Sequence, residues 1–160
     1  MKLSDKALLV QLNVSQWTAR KLDKKATQEV ALANNTGVHA GNYNKSLLPM
    51  NEYLDDVHKK TTLIRKEYYH NTLPWGIDGT MILPTDNYLD FMGKFRKYKS
   101  EWQALVDKFL QAYPQLQLNA QRYLGDLYNS NDYPSVEALT TKVSMDITVL
   151  PVPSDDFRVG

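Results

Sequence analysis

Cysteine is absent from the 160 residues, which excludes disulfides, thiolate metal sites and thiol nucleophiles and suits a reducing compartment. Charge of one sign is scarce too: 19 Lys and Arg against 18 Asp and Glu leave a net charge of +1, so no uniformly basic surface is available for polyanions. No apolar run approaches the roughly 20 residues of a membrane span. The run at residues 7–10 is too short for a secretory leader, and Asp5 interrupts its approach. A cytoplasmic, soluble protein with no membrane partner is the expectation. Of the three histidines, His39 stands apart in a Gly/Asn-rich stretch, and His58 and His70 are twelve residues apart, too far to share a metal ion from one helix. The G-x-S-x-G, GKS/T, dinucleotide-glycine and H-E-x-x-H patterns are all missing. No catalytic residue, metal or cofactor is therefore expected.

What is present is the composition of one folded domain over residues 1–160, with charged residues near a quarter of the chain and apolar ones above two fifths. Two segments alternate with the period of a half-buried strand. One is "VQLNVS", with Val10, Leu12 and Val14 on one face; the other is "VSMDITV", with Val143, Met145, Ile147 and Val149. After the first of these strands, "SQWTARKLDKKATQEVALANN" reads as a helix with Ser15 as N-cap and the Asn-Asn-Thr-Gly run at 34–37 as its stop.

The middle of the chain carries two heptad stripes. Leu47, Met50, Leu54, Val57, Thr61, Ile64 and Tyr68 form the first; Tyr88, Phe91, Phe95, Tyr98, Trp102, Leu105, Phe109 and Ala112 form the second. Spacings alternating three and four pack helices along a shared seam. Pro49 suits the first turn of the first helix, Thr85 and Asp86 offer a cap for the second, and Pro114 should end it. Shorter helices are expected at residues 115–128 and at 134–142, the latter capped by Asp132. The fold class is then α+β, mainly α: a long antiparallel, coiled-coil-like helical hairpin with a small antiparallel sheet formed by the N- and C-terminal strands. The hairpin, residues 47–113, should project from a base formed by residues 1–40 and 114–153. Its tip, "LPWGIDGTMILP", holds an Asp78-Gly79 turn suited to a β-ribbon.

Charge is distributed unevenly. Residues 1–113 carry sixteen Lys/Arg against twelve Asp/Glu, and residues 114–160 three against six. Near the tip, Lys59, Lys60, Arg65 and Lys66 on the first helix and Lys94, Arg96, Lys97 and Lys99 on the second lie among aromatic residues. Single strands are held by basic grooves that follow phosphates and by rings on which bases stack. Phe91, Phe95, Tyr98 and Trp102 belong to the seam, so Tyr69 and Trp75 are the rings best placed to stack a base. Single-stranded DNA is the expected partner, with a homo-oligomer supplying through many copies what a nearly neutral protomer lacks. The alternative is a structural or regulatory protein whose tip, with Trp75, Ile77, Met81 and Ile82, presents an apolar patch to a protein partner.

The stretches "LNVSQWTARKLDKKAT" and "LGDLYNSNDYPSVEALTTKVSMDITVLPVPSDDFRV" resemble an uncharacterised family of bacteriophage-encoded proteins, and within it a single-stranded DNA-binding member. That resemblance implies a helical, oligomeric protein in the host-cell cytoplasm that coats single-stranded DNA during phage genome replication or recombination, with neither sequence preference nor cofactor. It transfers no contact residue.

Overall fold

The computed structural model describes residues 2–22, 44–49 and 51–153. Strand β1, Ala7–Ser15, pairs antiparallel along its length with β6, Ser144–Pro151, with Val10 opposite Val149, Leu12 opposite Ile147 and Val14 opposite Met145. The alternation places these residues on the face that meets the helices. On the opposite face, Asn13 Nδ2 donates to Asp146 Oδ1 at 2.8 Å and to Thr148 Oγ1 at 2.7 Å. The far side of β1 receives β5, Met81–Pro84, which in turn pairs with the two-residue β4, Leu73–Pro74. The sheet order is thus β4-β5-β1-β6, all antiparallel. A separate ribbon joins β2, Arg20–Leu22, to β3, Asn44–Ser46.

The expected helix beginning at Ser15 does not start there. The chain leaves β1 through residues 16–19, Ala19 takes a left-handed φ of 52°, and Arg20 enters β2. The Ala19 carbonyl accepts from Leu47 N–H at 2.7 Å, which ties this corner to the segment around Leu47. Residues 23–33 of the expected helix lie outside the described residues.

Helix α1, Glu52–His70, begins at Asn51, whose side chain accepts from Leu54 N–H; Pro49 therefore precedes the helix instead of occupying its first turn. Leu54, Val57, Thr61, Ile64 and Tyr68 are all buried, the heptad stripe read from spacing. Helix α2, Tyr88–Leu124, has 37 residues and is about 55 Å long at 1.5 Å per residue. It runs straight through Pro114, which was expected to end it, and absorbs most of the separate helix expected after it; a 3₁₀ turn, Gly125–Leu127, follows. Proline at an interior position lacks the N–H that Leu110 C=O would accept, and the burial of Tyr113 and Ala120 on either side outweighs that loss. The buried positions after Trp102 are Val106, Phe109, Tyr113 and Ala120; Phe109 falls as expected, while 106 and 113 replace the expected 105 and 112. A straight helix has 3.6 residues per turn and drifts about 20° per heptad from a 3.5 repeat.

The caps differ as well. Asn87 precedes α2 after a 3₁₀ turn, Thr85–Asn87, with no side-chain capping bond. Helix α3, Val136–Lys142, is capped by Ser135, which accepts from Ala138 N–H, while Asp132 sits in an upstream 3₁₀ turn.

Helix α1 and the first half of α2 meet at Thr61 with Trp102 and at Tyr68 with Phe91, whose ring centroids are 6.4 Å apart. The sheet covers one side of both. Tyr68 and Phe91 join Val10, Met81 and Leu83 in one cluster; Phe95, Trp102, Phe109 and Tyr113 join Val143 and Met145 in another. The connection between the helices is consequently no free tip. Strand β5 is hydrogen-bonded into the middle of the sheet and the Tyr68 hydroxyl lies 2.9 Å from the Val10 carbonyl, so the helix pair lies along the sheet and does not project from a base. Of the proposed base, residues 1 and 23–40 lie outside the described part.

Candidate nucleic-acid interface

The turn between β4 and β5 is fixed by local bonds. Asp78 accepts from Thr80 N–H at 3.1 Å, and the backbone and side-chain donors of Thr80 hold its carboxyl below the ordinary range. Gly79 adopts φ 85°, which only glycine takes without strain, and Trp75 N–H donates to the Thr80 carbonyl at 3.2 Å. Trp75 remains 42 % exposed, whereas Trp102 is buried and Trp17 partly so. The Tyr69 hydroxyl stands over the same turn, 3.7 Å from where a Cβ on Gly79 would lie, and its side chain is 52 % exposed. Tyr68, the neighbouring ring at a centroid distance of 5.1 Å, is buried; desolvation pushes its hydroxyl up to about 12.

Arg65 and Tyr69 are one turn apart and share a flank of α1. Lys59 and Lys66, seven residues apart, form the next stripe outward, and Lys59, Arg65 and Lys66 are all exposed. Arg65, Lys66, Tyr69 and Trp75 therefore collect at one end, with Lys59 two turns away.

The remaining basic residues are dispersed. Lys60 forms an ion pair with Glu101 on α2, and that hydrogen bond holds the Glu101 carboxyl low; the same ammonium lies 5.2 Å from the centre of the Tyr98 ring. Lys94 pairs with Asp90 at 3.3 Å. Lys97 lies one turn before Glu101 on the same side. At about 100° per residue, Arg96 is roughly 160° and Lys99 roughly 140° around the axis from Lys94, so they face away from α1. The ten expected contact residues therefore do not converge on one groove.

Between the helices near their connection is a cavity of about 200 Å³, walled by Tyr68, Phe91, Phe95 and Tyr98 and rimmed by Glu67 and Lys94. The seam rings are not sealed along their whole length. Spacing alone had placed them in the core, and only the shape of the helix pair reveals this opening.

The apolar patch expected at the turn is also redrawn. Met81 is buried against Val10 and Phe91, and Ile82 packs on Ala7, Leu9 and Val152. Leu73 and Ile77 are the residues exposed beside Trp75. His58 Nε2 donates to the Trp17 carbonyl at 3.1 Å, His70 is exposed at the end of α1, and His39 lies outside the described residues. Among the described residues no group of three His, Asp or Glu side chains is placed to hold a metal, and no helix is long and apolar enough to cross a membrane.

No protein-family model, curated protein or solved structure matches the chain.

Proposed function

We propose that the protein binds single-stranded DNA without sequence preference, as an oligomer, in phage genome replication or recombination and without a cofactor. In this reading α1 and the first half of α2 act as an antiparallel, coiled-coil-like hairpin, and their connecting end is the binding end. The observation that carries it is the pair of half-exposed rings at the β4–β5 turn, Trp75 within it and Tyr69 with its hydroxyl close to Gly79, with the exposed Arg65 and Lys66 about one turn earlier on α1. Each base stacked on such a ring contributes about 1–3 kcal/mol. Arg65, Lys66 and Lys59 supply phosphate contacts. The acidic partners of Lys60 and Lys94 reduce their share. A protomer of net charge +1 holds a strand weakly, and copies aligned along it raise the effective concentration of each site.

The test is fluorescence anisotropy of a labelled single strand and its duplex at two salt concentrations. Salt-sensitive binding that favours the single strand supports the reading. Absence of binding to both, at concentrations where the oligomer has formed, refutes it.

The full exposure of Ile77 beside Leu73 and Trp75 favours a second reading, a structural or regulatory role in which this turn docks on a protein partner. Contiguous exposed apolar residues mark such surfaces. In that case Ile77→Asp abolishes partner binding and charge reversal at Arg65 and Lys66 leaves it intact.

A further inference from the structure

The void between α1 and α2 near their connection, about 200 Å³ in volume, opens to solvent and is walled mainly by apolar side chains. Packed interiors hold few gaps larger than a water molecule, so an opening of this size between aromatic rings has room for an occupant. Its walls are within reach of one: Phe91 and Phe95 keep 9 % and 8 % of their surface, and Tyr98 on α2 and Ile147 on β6 are half-buried. An apolar cavity of about 150 Å³ suffices to hold benzene, which sets the scale here at one six-membered ring with a short arm. A nucleotide is too large, since sites for ligands of that size run from about 300 Å³ upward.

The mouth of the void has a charge of its own. Glu67 is half-buried at the rim, and among the described residues its carboxylate receives one weak contact, from Asn71 Nδ2 at 3.4 Å. Lys94, the one cation among the lining residues, is already paired with Asp90 at 3.3 Å. Glu67 is therefore left without a counter-ion among the described residues, beside apolar walls where an opposite charge is felt more strongly than in water. We infer that the void is a binding site for a small organic cation, with one apolar ring between Phe91, Phe95, Tyr98 and Ile147 and an ammonium group against the Glu67 carboxylate. The aromatic walls favour the same sign, because ring faces attract cations; Tyr98 already holds the Lys60 ammonium 5.2 Å from its centre. An anionic ligand would face both Glu67 and Asp90. The inference is independent of the strand-binding reading, because Glu67 and Tyr69, two residues apart, lie about 160° from each other around α1 and this rim repels a phosphate.

Titration calorimetry of the full chain with phenethylammonium, 2-phenylethanol and 3-phenylpropionate tests it, since the three share a ring and a short arm and differ in charge. The expected result is phenethylammonium binding at about 0.1–1 mM, the affinity open to a ligand of so few atoms. The alcohol should bind about tenfold more weakly, and the carboxylate not measurably. Glu67→Gln should bring the amine down to the affinity of the alcohol and leave the alcohol unchanged, a split that a merely structural role would not produce. Ile147→Phe fills the void from the sheet side and should abolish binding of both; if overpacking unfolds that variant, the two titrations of Glu67→Gln still decide. Equal affinities for amine and alcohol, a preference that survives Glu67→Gln, or no binding of the amine at about 10 mM overturns the inference.

Discussion

Trp102 Nε1 donates to Thr61 Oγ1 at 2.9 Å, and both side chains are essentially fully buried. The Thr61 hydroxyl passes its own hydrogen to the Val57 carbonyl at 2.9 Å, so one chain of bonds joins α1 to α2 inside an apolar seam. Thr61→Val keeps the shape and strands the indole N–H, at a cost of about 1–3 kcal/mol. Urea unfolding should show that loss, and adding Trp102→Phe should recover part of it in a double-mutant cycle. Purely additive effects would mean that the bond contributes nothing beyond packing.

Pro114 deprives α2 of one backbone bond at an exposed position. Pro114→Ala restores the N–H toward the Leu110 carbonyl and should raise stability, by an amount up to about 3 kcal/mol. An unchanged or lower urea midpoint would show that the proline is positioned to advantage by its packing elsewhere.

Burial pushes the Tyr68, Tyr113 and Tyr133 hydroxyls up to about 12, against an ordinary value near 10 in the unfolded chain. The folded state holds these protons more tightly. Their contribution is therefore complete below about pH 10 and is lost as the pH rises through about 12, on the order of 2 kcal/mol per ring. With no cysteine in the chain, thiol ionisation cannot mask the effect. The urea midpoint should be flat to about pH 9.5 and fall steeply above pH 10. A decline complete before pH 10 would contradict the assignment.

Strand binding should respond unequally to the basic residues. Arg65→Glu with Lys66→Glu should weaken it and flatten the dependence of log affinity on log salt by about 0.7 for each phosphate that is no longer neutralised. Lys94→Glu, at a position already paired with Asp90, should do less. Trp75→Ala should cost about 1–3 kcal/mol in affinity with little change in the salt slope. Equal effects of all three would remove the connecting end from the site.

The sequence made some of this readable because periodicity reports a buried face directly. The five α1 seam positions from Leu54 to Tyr68 and the alternation of β1 and β6 follow from spacing alone, and both are observed. Spacing says nothing of a partner far along the chain. The insertion of β1 between β5 and β6, which ties the helix connection to the sheet, was therefore invisible. The passage of α2 through Pro114 was missed for a related reason, since tertiary burial of Tyr113 and Ala120 overrides a local helix-breaking preference. Among the candidate site residues, the exposure of Tyr69 and Trp75 follows from their places outside the seam. That Lys60 and Lys94 face carboxylates depends on where Glu101 and Asp90 fall once the helices are formed and packed.

The central position of β1 has a consequence for synthesis on the ribosome. Asn13 meets Asp146 across 133 residues, so β1 emerges long before the strand that pairs with its long edge. Helices α1 and α2 depend on closer neighbours and can pack earlier. During that interval the strand presents Val10, Leu12 and Val14 without their β6 partners, an invitation to wrong association. Slow elongation or premature termination before residue 144 should therefore yield insoluble product, while short deletions within β4 should not.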